Sequence, residues 1–322
     1  MDTLKTLTYE VTGRIARITL NRPERGNGIT FDMPAELSSC VERANLDPSV
    51  HVIALSGNGK GFCGGYDLVM TAEQRFGKDT GSGWPTGSAM DPAVQAANHD
   101  PQSNWDPMLD YAMMSRNVRG FMSLFYSDKP VICKVHGFCV AGGTDMALCS
   151  DLLLIEDTAT IGYPPARVWG VPTTALWAYR VGPEKAKRLL FTGDSLTGKQ
   201  AAEWGLATEA VPADQLDARF EALLNRVALV PVNQLMMMKL FMFGRTSRKR
   251  MCPVPRSSTR AASAIAGTSC TSIVMEPGLS HHTRRVFDRN RDRIPAPTHR
   301  RCRGRDARRR RERPPRHLEL AL

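Results

Sequence analysis

The chain has 322 residues, 42% of them hydrophobic, and a formal net charge of +11. That length can bury a substantial core, as one large domain or two. The charge is uneven: residues 245–322 carry 21 Lys and Arg against 6 Asp and Glu, and residues 1–244 carry 22 against 26, so no single charge argument covers the whole protein.

The start, Met1-Asp2-Thr3-Leu4-Lys5, lacks the basic and apolar regions of a secretory signal. No run of 18 or more apolar residues occurs. The eight cysteines include no C-x-x-C pair. Cys63, Cys133, Cys139 and Cys149 lie in apolar or Gly-rich segments and read as small buried residues, so no metal site is expected. Together these features predict a cytoplasmic, reduced protein.

Leu7 to Val11 and Arg14 to Leu20 read as strands around a Thr12-Gly13 turn, with Ile15, Arg17 and Thr19 alternating against Ala16, Ile18 and Leu20. Asn21-Arg22-Pro23 stops the sheet. Thr30 or Asp32 can cap a helix with Pro34 in its first turn and an apolar face of Leu37, Val41 and Ala44. A strand at 51–55 returns. Residues 71–107 lose periodicity and are rich in Gly, Asp, Asn and Pro; a long loop inside a compact domain is usually functional or disordered. A helix from Pro107 to Tyr126 follows, with Leu109, Met113, Phe121, Leu124 and Phe125 inward. Pro130 to Cys133 and Leu152 to Ile155 read as buried strands. Thr197 and Gln200 form a capping-box start for a helix ending near Gly205. Helices at about 183–191, 214–229 and 231–243 complete the periodic part. Successive strand and helix units predict an α/β fold with helices covering a sheet.

Two stretches carry chemistry. Lys134-Val135-His136-Gly137-Phe138-Cys139-Val140-Ala141-Gly142-Gly143-Thr144-Asp145 leads from a strand through a Gly-rich turn into a helix. Such a turn aims unpaired N–H groups and a positive dipole end at one point, which suits an oxygen that becomes negative during a reaction. Ser56-Gly57-Asn58-Gly59-Lys60-Gly61-Phe62-Cys63-Gly64-Gly65-Tyr66-Asp67-Leu68 repeats the pattern after the strand at 51–55. Two such loops could supply two backbone donors to one carbonyl oxygen. A tight turn with a dipole-favoured acid is the bland alternative.

Together with Asn21-Arg22-Pro23-Glu24-Arg25-Gly26-Asn27, these segments resemble the three signatures of the enoyl-CoA hydratase/isomerase (crotonase) family, in the family's order. The resemblance runs to about residue 243. It implies an α/β crotonase-like spiral of β-β-α units over 1–205, and the start of a C-terminal helical region over 206–244. It also implies an acyl-CoA thioester as substrate, with no cofactor beyond that CoA. A homotrimer or dimer of trimers is implied if the C-terminal helices are intact, and residues 71–107 would border the acyl pocket. By motif, the N–H groups of Tyr66 and Gly142 would hold the thioester oxygen; Tyr66 is bulkier than the family's usual small residue, and its side chain can point away while its N–H serves. Gly64, Asp67, Leu68, Ala141 and Pro165 would line the substrate and CoA site, and Arg25 would reach the CoA phosphates.

Hydration of an enoyl thioester needs two carboxylates. The first family position holds Asp145, one methylene shorter than the family's Glu; the second falls on Pro165, which has no proton to give. What remains, an oxyanion hole with one carboxylate, fits a single-carboxylate isomerase, a thioester hydrolase or a non-catalytic acyl-CoA-binding protein. His99, Asp106 and Asp110 are candidate imported acids or bases, read in the first instance as solvated loop residues. From Arg245 the chain turns to Arg, Pro, Ser and Thr, ending in runs such as Arg308-Arg309-Arg310-Arg311. This tail reads as disordered, and its abrupt onset as an out-of-frame translation of a family C-terminus. A basic arm that binds nucleic acid is the weaker reading of this tail, because it lacks aromatic interleaving and a recognisable module; with no long apolar run in the chain, no membrane partner is expected.

Overall fold

A computed structural model describes residues 4–68, 84–100, 102–167 and 170–247. These all fall within one compact unit, Met1–Ala262. The tail beyond Ser247, with its frame-shift reading, lies outside the described residues, as do residues 71–83 and 101 of the insert.

The N-terminal hairpin forms as the alternation predicts: β1 (Leu7–Thr12) pairs antiparallel with β2 (Ile15–Leu20), Leu7 opposite Leu20. The chain then returns through α1 (Met33–Leu46) to β3 (Val52–Gly57), parallel to β2. Asp32 is the residue before α1, but its side chain caps nothing; Thr30 Oγ1 accepts from the N–H groups of Asp32 and Met33 instead. The insert is not all loop. Asp91 caps a helix, α2 (Pro92–Asn98), by accepting from the N–H of Ala93. Next comes α3 (Pro107–Tyr126), capped by Asp106. Its buried face is Asn117, Gly120, Phe121 and Leu124, so of the five expected inward residues only Phe121 and Leu124 are fully buried.

β4 (Val131–Val135) lies parallel to β3 and is followed by β5 (Phe138–Val140), a short helix α4 (Gly142–Ala147), and β6 (Leu152–Glu156) parallel to β4. β7 (Thr160–Gly162) leads to α5 (Leu176–Thr192). That helix begins seven residues before the predicted start, at the price of a break at Gly182 (φ +78°), where Pro183 supplies no N–H. β8 (Ser195–Thr197) and α6 (Gly198–Trp204) carry the full capping box between Thr197 and Gln200. β9 (Glu209–Val211), α7 (Leu216–Ala228) and α8 (Val232–Ser247) complete the described chain.

The main sheet runs β1-β2-β3-β4-β6-β9, and a smaller one runs β5-β7-β8. A large core, including Leu37, Val41, Phe121 and Leu124, covers one face of the main sheet. On the other face, Leu216, Phe220 and Leu224 of α7 pack against Val52, Ala54, Ile132 and Leu154. The consequence for function lies in β3 and β4. As parallel neighbours they end at the same sheet edge, so the Gly-rich loops that follow them lie side by side.

Candidate active site

The loops after β3 and β4 are stitched together by backbone bonds. Phe62 N donates to Phe138 O at 2.9 Å and Val140 N to Cys63 O at 3.0 Å. The first signature segment joins them: Gly64 N donates to Gly26 O at 2.9 Å, Ile29 N to Gly65 O at 2.8 Å, and Asp67 N to Ile29 O at 3.0 Å. Asn27, fully buried at φ +53°, sends its amide nitrogen to the carbonyls of Asn58, Gly61 and Phe62. All three motif segments therefore converge on one place.

Within this junction the N–H groups of Tyr66 and Gly142 donate no hydrogen bond among the described residues. They belong to adjoining backbones: a Cβ on Gly65 would fall 2.7 Å from Ala141 Cβ and 3.6 Å from Gly142 N. Gly65, at φ +93°, must therefore lack a side chain. Ala141 adopts φ +55° and ψ −128°, a strained setting for a residue with a Cβ, immediately before Gly142. The helix that follows is only six residues long, so its dipole is a minor contributor beside the two N–H groups.

The Tyr66 side chain does not point away as expected. Its ring lies on Gly142, where a Cβ would come within 2.9 Å of Tyr66 Cε2 and 2.8 Å of Ile29 Cδ1. The ring turns inward because Ile29 and Gly142 leave an apolar slot for it. Its hydroxyl is buried without a hydrogen-bond partner among the described residues, and burial pushes the phenol well above its ordinary range, so it stays protonated.

Asp145 is fully buried in α4. Its Oδ2 accepts from Thr173 N at 2.9 Å and Thr173 Oγ1 at 3.0 Å, and its Oδ1 from Trp177 Nε1 at 2.8 Å. Burial raises its pKa, and these donors oppose the rise without cancelling it. Tyr163, 6.0 Å from Trp177 in an edge-on contact, donates its hydroxyl to Val171 O at 2.8 Å and closes the same wall. Pro165 lies in a single turn at Pro164–Arg167, where its carbonyl accepts from Gly170 N at 2.9 Å.

Of the remaining motif residues, Asp67 is buried and paired with Arg22 at 2.9 Å, which ties the first signature segment to the second. Gly64, Leu68 and Arg25 are exposed on the outer side of the same loops. His99, Asp106 and Asp110 serve local structure: His99 Nε2 lies 3.2 Å from Asp110 Oδ1, and Asp106 caps α3. Sequence reasoning missed Thr173, Trp177 and Asn117. Thr173 and Trp177 lie 28 and 32 residues beyond Asp145, a separation with no periodic signature. Among the described residues no group of His, Cys, Asp and Glu could hold a metal ion, and no helix is long and apolar enough to cross a membrane.

Residues 10–97 and 103–252 match the sequence profile of the enoyl-CoA hydratase/isomerase family, and the chain belongs to that family. An enoyl-CoA hydratase structure from Mycobacterium smegmatis is 55% identical, with a TM-score of 0.70 over 77% of this chain and 80% of that one. A Mycobacterium tuberculosis protein bearing the enoyl-CoA hydratase name EchA13 is 30% identical over 238 residues, 70% of this chain and 69% of that protein. A Thermobifida fusca homologue solved with acetoacetyl-CoA is 25% identical, with a TM-score of 0.66 over 84% of this chain and 96% of that one. The α/β architecture is that of these neighbours.

Proposed function

We propose that the chain binds an acyl-CoA thioester and stabilises its enolate between the N–H groups of Tyr66 and Gly142, with Asp145 as the one carboxylate that moves protons. The observation that carries this reading is the pair of adjoining N–H groups with no acceptor among the described residues, held by a strained Ala141 and by a Gly65 that cannot carry a side chain. Preorganised donors of this kind stabilise a developing oxyanion by about 3 kcal/mol each. The acetoacetyl-CoA held by the Thermobifida neighbour supports a thioester as the ligand class.

One carboxylate limits the chemistry. With Pro165 at the second position, no acid and base pair acts across a water molecule, and ordinary hydration is disfavoured. A proton shift needs only Asp145: it takes the Cα proton, the electron pair moves onto the thioester oxygen, and the same carboxyl returns the proton at Cγ. Burial raises the Asp145 pKa and so strengthens it as a base. A second reading, thioester binding without turnover, is favoured by one observation: both Asp145 oxygens already accept hydrogen bonds from Thr173 and Trp177.

Incubating the protein with a short 2-enoyl-CoA and its 3-enoyl isomer in H₂¹⁸O, followed by mass spectrometry, separates these readings. We expect interconversion of the isomers without ¹⁸O uptake, lost in Asp145→Asn. Label in a 3-hydroxyacyl thioester would overturn the single-carboxylate assignment, and label in the free acid would mean hydrolysis. Binding without any conversion would leave the non-catalytic reading.

A further inference from the structure

The first turns of α1 and the middle of α3 do not close fully on each other. Between them is a cavity of about 290 Å³, with Phe31, Trp84 and Met90 among its apolar walls and Arg116, Asn117 and Arg119 along its α3 side. Asn117 links its lining to the loop junction. Asn117 is 3% exposed and faces the Tyr66 hydroxyl, yet neither its Oδ1 nor that hydroxyl has a hydrogen-bond partner among the described residues. Tyr66 in turn lies on Gly142. One side chain therefore separates the cavity from the proposed thioester donors.

The outer part is cationic. Arg116 donates to Ala112 O, and neither Arg116 nor Arg119 has a carboxylate partner among the described residues. Among the described residues no acid lines the cavity. On a body whose residues 1–244 carry 22 Lys and Arg against 26 Asp and Glu, two neighbouring unpaired guanidiniums beside an apolar wall are a local departure from the overall charge. Apolar walls with a few convergent polar groups are the usual form of a small-ligand site. Paired guanidiniums favour a carboxylate over a methyl end.

From this arrangement we infer that the cavity seats the acyl chain, and that the preferred substrates are acyl-CoAs whose chain ends in a carboxylate. The Tyr66 ring and the Asn117 amide fill the gap between the thioester and the cavity, so the chain enters with one of them turned aside, then lies along Phe31, Trp84 and Met90 and ends between Arg116 and Arg119. This inference rests on the acyl-CoA reading given above.

Calorimetric binding of adipoyl-CoA and suberoyl-CoA, each against the chain-matched hexanoyl-CoA or octanoyl-CoA, tests it, with free CoA as reference. At least one dicarboxylic thioester is expected to bind about tenfold more tightly than its partner. The double variant Arg116→Met, Arg119→Met is expected to erase that preference while leaving free CoA affinity unchanged. Equal or tighter binding of the monocarboxylic thioesters, or a preference that survives in the double variant, overturns the carboxylate assignment while leaving the acyl-CoA reading intact. Failure of every thioester and of CoA to bind overturns that reading, and this inference with it.

Discussion

Asp145 is the residue on which the proposed chemistry turns, and its burial sets it apart from the described acids other than Asp67, which is paired with Arg22. The Asp145 carboxylate is buried, has no cationic partner among the described residues, and accepts hydrogen bonds from Thr173 and Trp177. Since its folded pKa is raised above the unfolded value of 3.8, its contribution to stability is full below that value and is lost as pH rises through the folded pKa. Urea unfolding across about pH 4 to 7 should therefore show a component that weakens with rising pH and vanishes in Asp145→Asn. At neutral pH the same variant should be less stable by about 1–3 kcal/mol, because its NH₂ would meet a donor where the carboxylate accepts. A variant as stable as the parent would mean that these bonds contribute nothing. Ala141 gives an opposite expectation. Replacement by glycine releases about 1–3 kcal/mol of backbone strain against about 1 kcal/mol of added unfolded-chain entropy. Stability should hold or rise; a loss above about 1 kcal/mol would show that the Cβ contacts outweigh the strain.

At the scale of elements, the sequence was most readable where one local rule decided the outcome. The capping box at Thr197 and Gln200 formed as its residues dictate, and Thr197→Ala should cost about 1 kcal/mol in chemical unfolding, with no loss contradicting the box. Prolines fixed the start of α3 at Pro107. Reading failed where tertiary context overrode local cues. The seven residues of α2 are too few to show a period, and sit in a stretch whose Gly, Asn and Pro content reads as loop. The first turns of α5, which carry Trp177, were hidden by the break at Gly182 and Pro183. The Tyr66 ring turned inward because Ile29 and Gly142, from two other segments, leave a slot that no local pattern reveals. The convergence of the three motif segments was thus legible, but the residues that hold Asp145 were not.

For the molecule as a whole, the arrangement follows from one piece of topology. Parallel β3 and β4 deliver two Gly-rich loops to the same edge, and the first signature segment closes over both through Asn27 and the Arg22–Asp67 pair. The sheet behind them is held from its other face by α7, while Lys239 of α8 reaches Asp151 at 2.7 Å. This frame positions two N–H groups that donate no hydrogen bond among the described residues, and a buried acid beside them in the chain. The family provides the fold and the thioester; the residues at 145 and 165 narrow what can be done with it. The most direct test of that claim is hydrogen exchange at the Cα of a saturated acyl-CoA in D₂O, followed by mass spectrometry or NMR. Deuterium entering at Cα with the parent protein, and failing to enter with Asp145→Asn while the thioester still binds, is the predicted result. Exchange at the parental rate in Asp145→Asn would contradict the account, because the enolate would then be formed by another base.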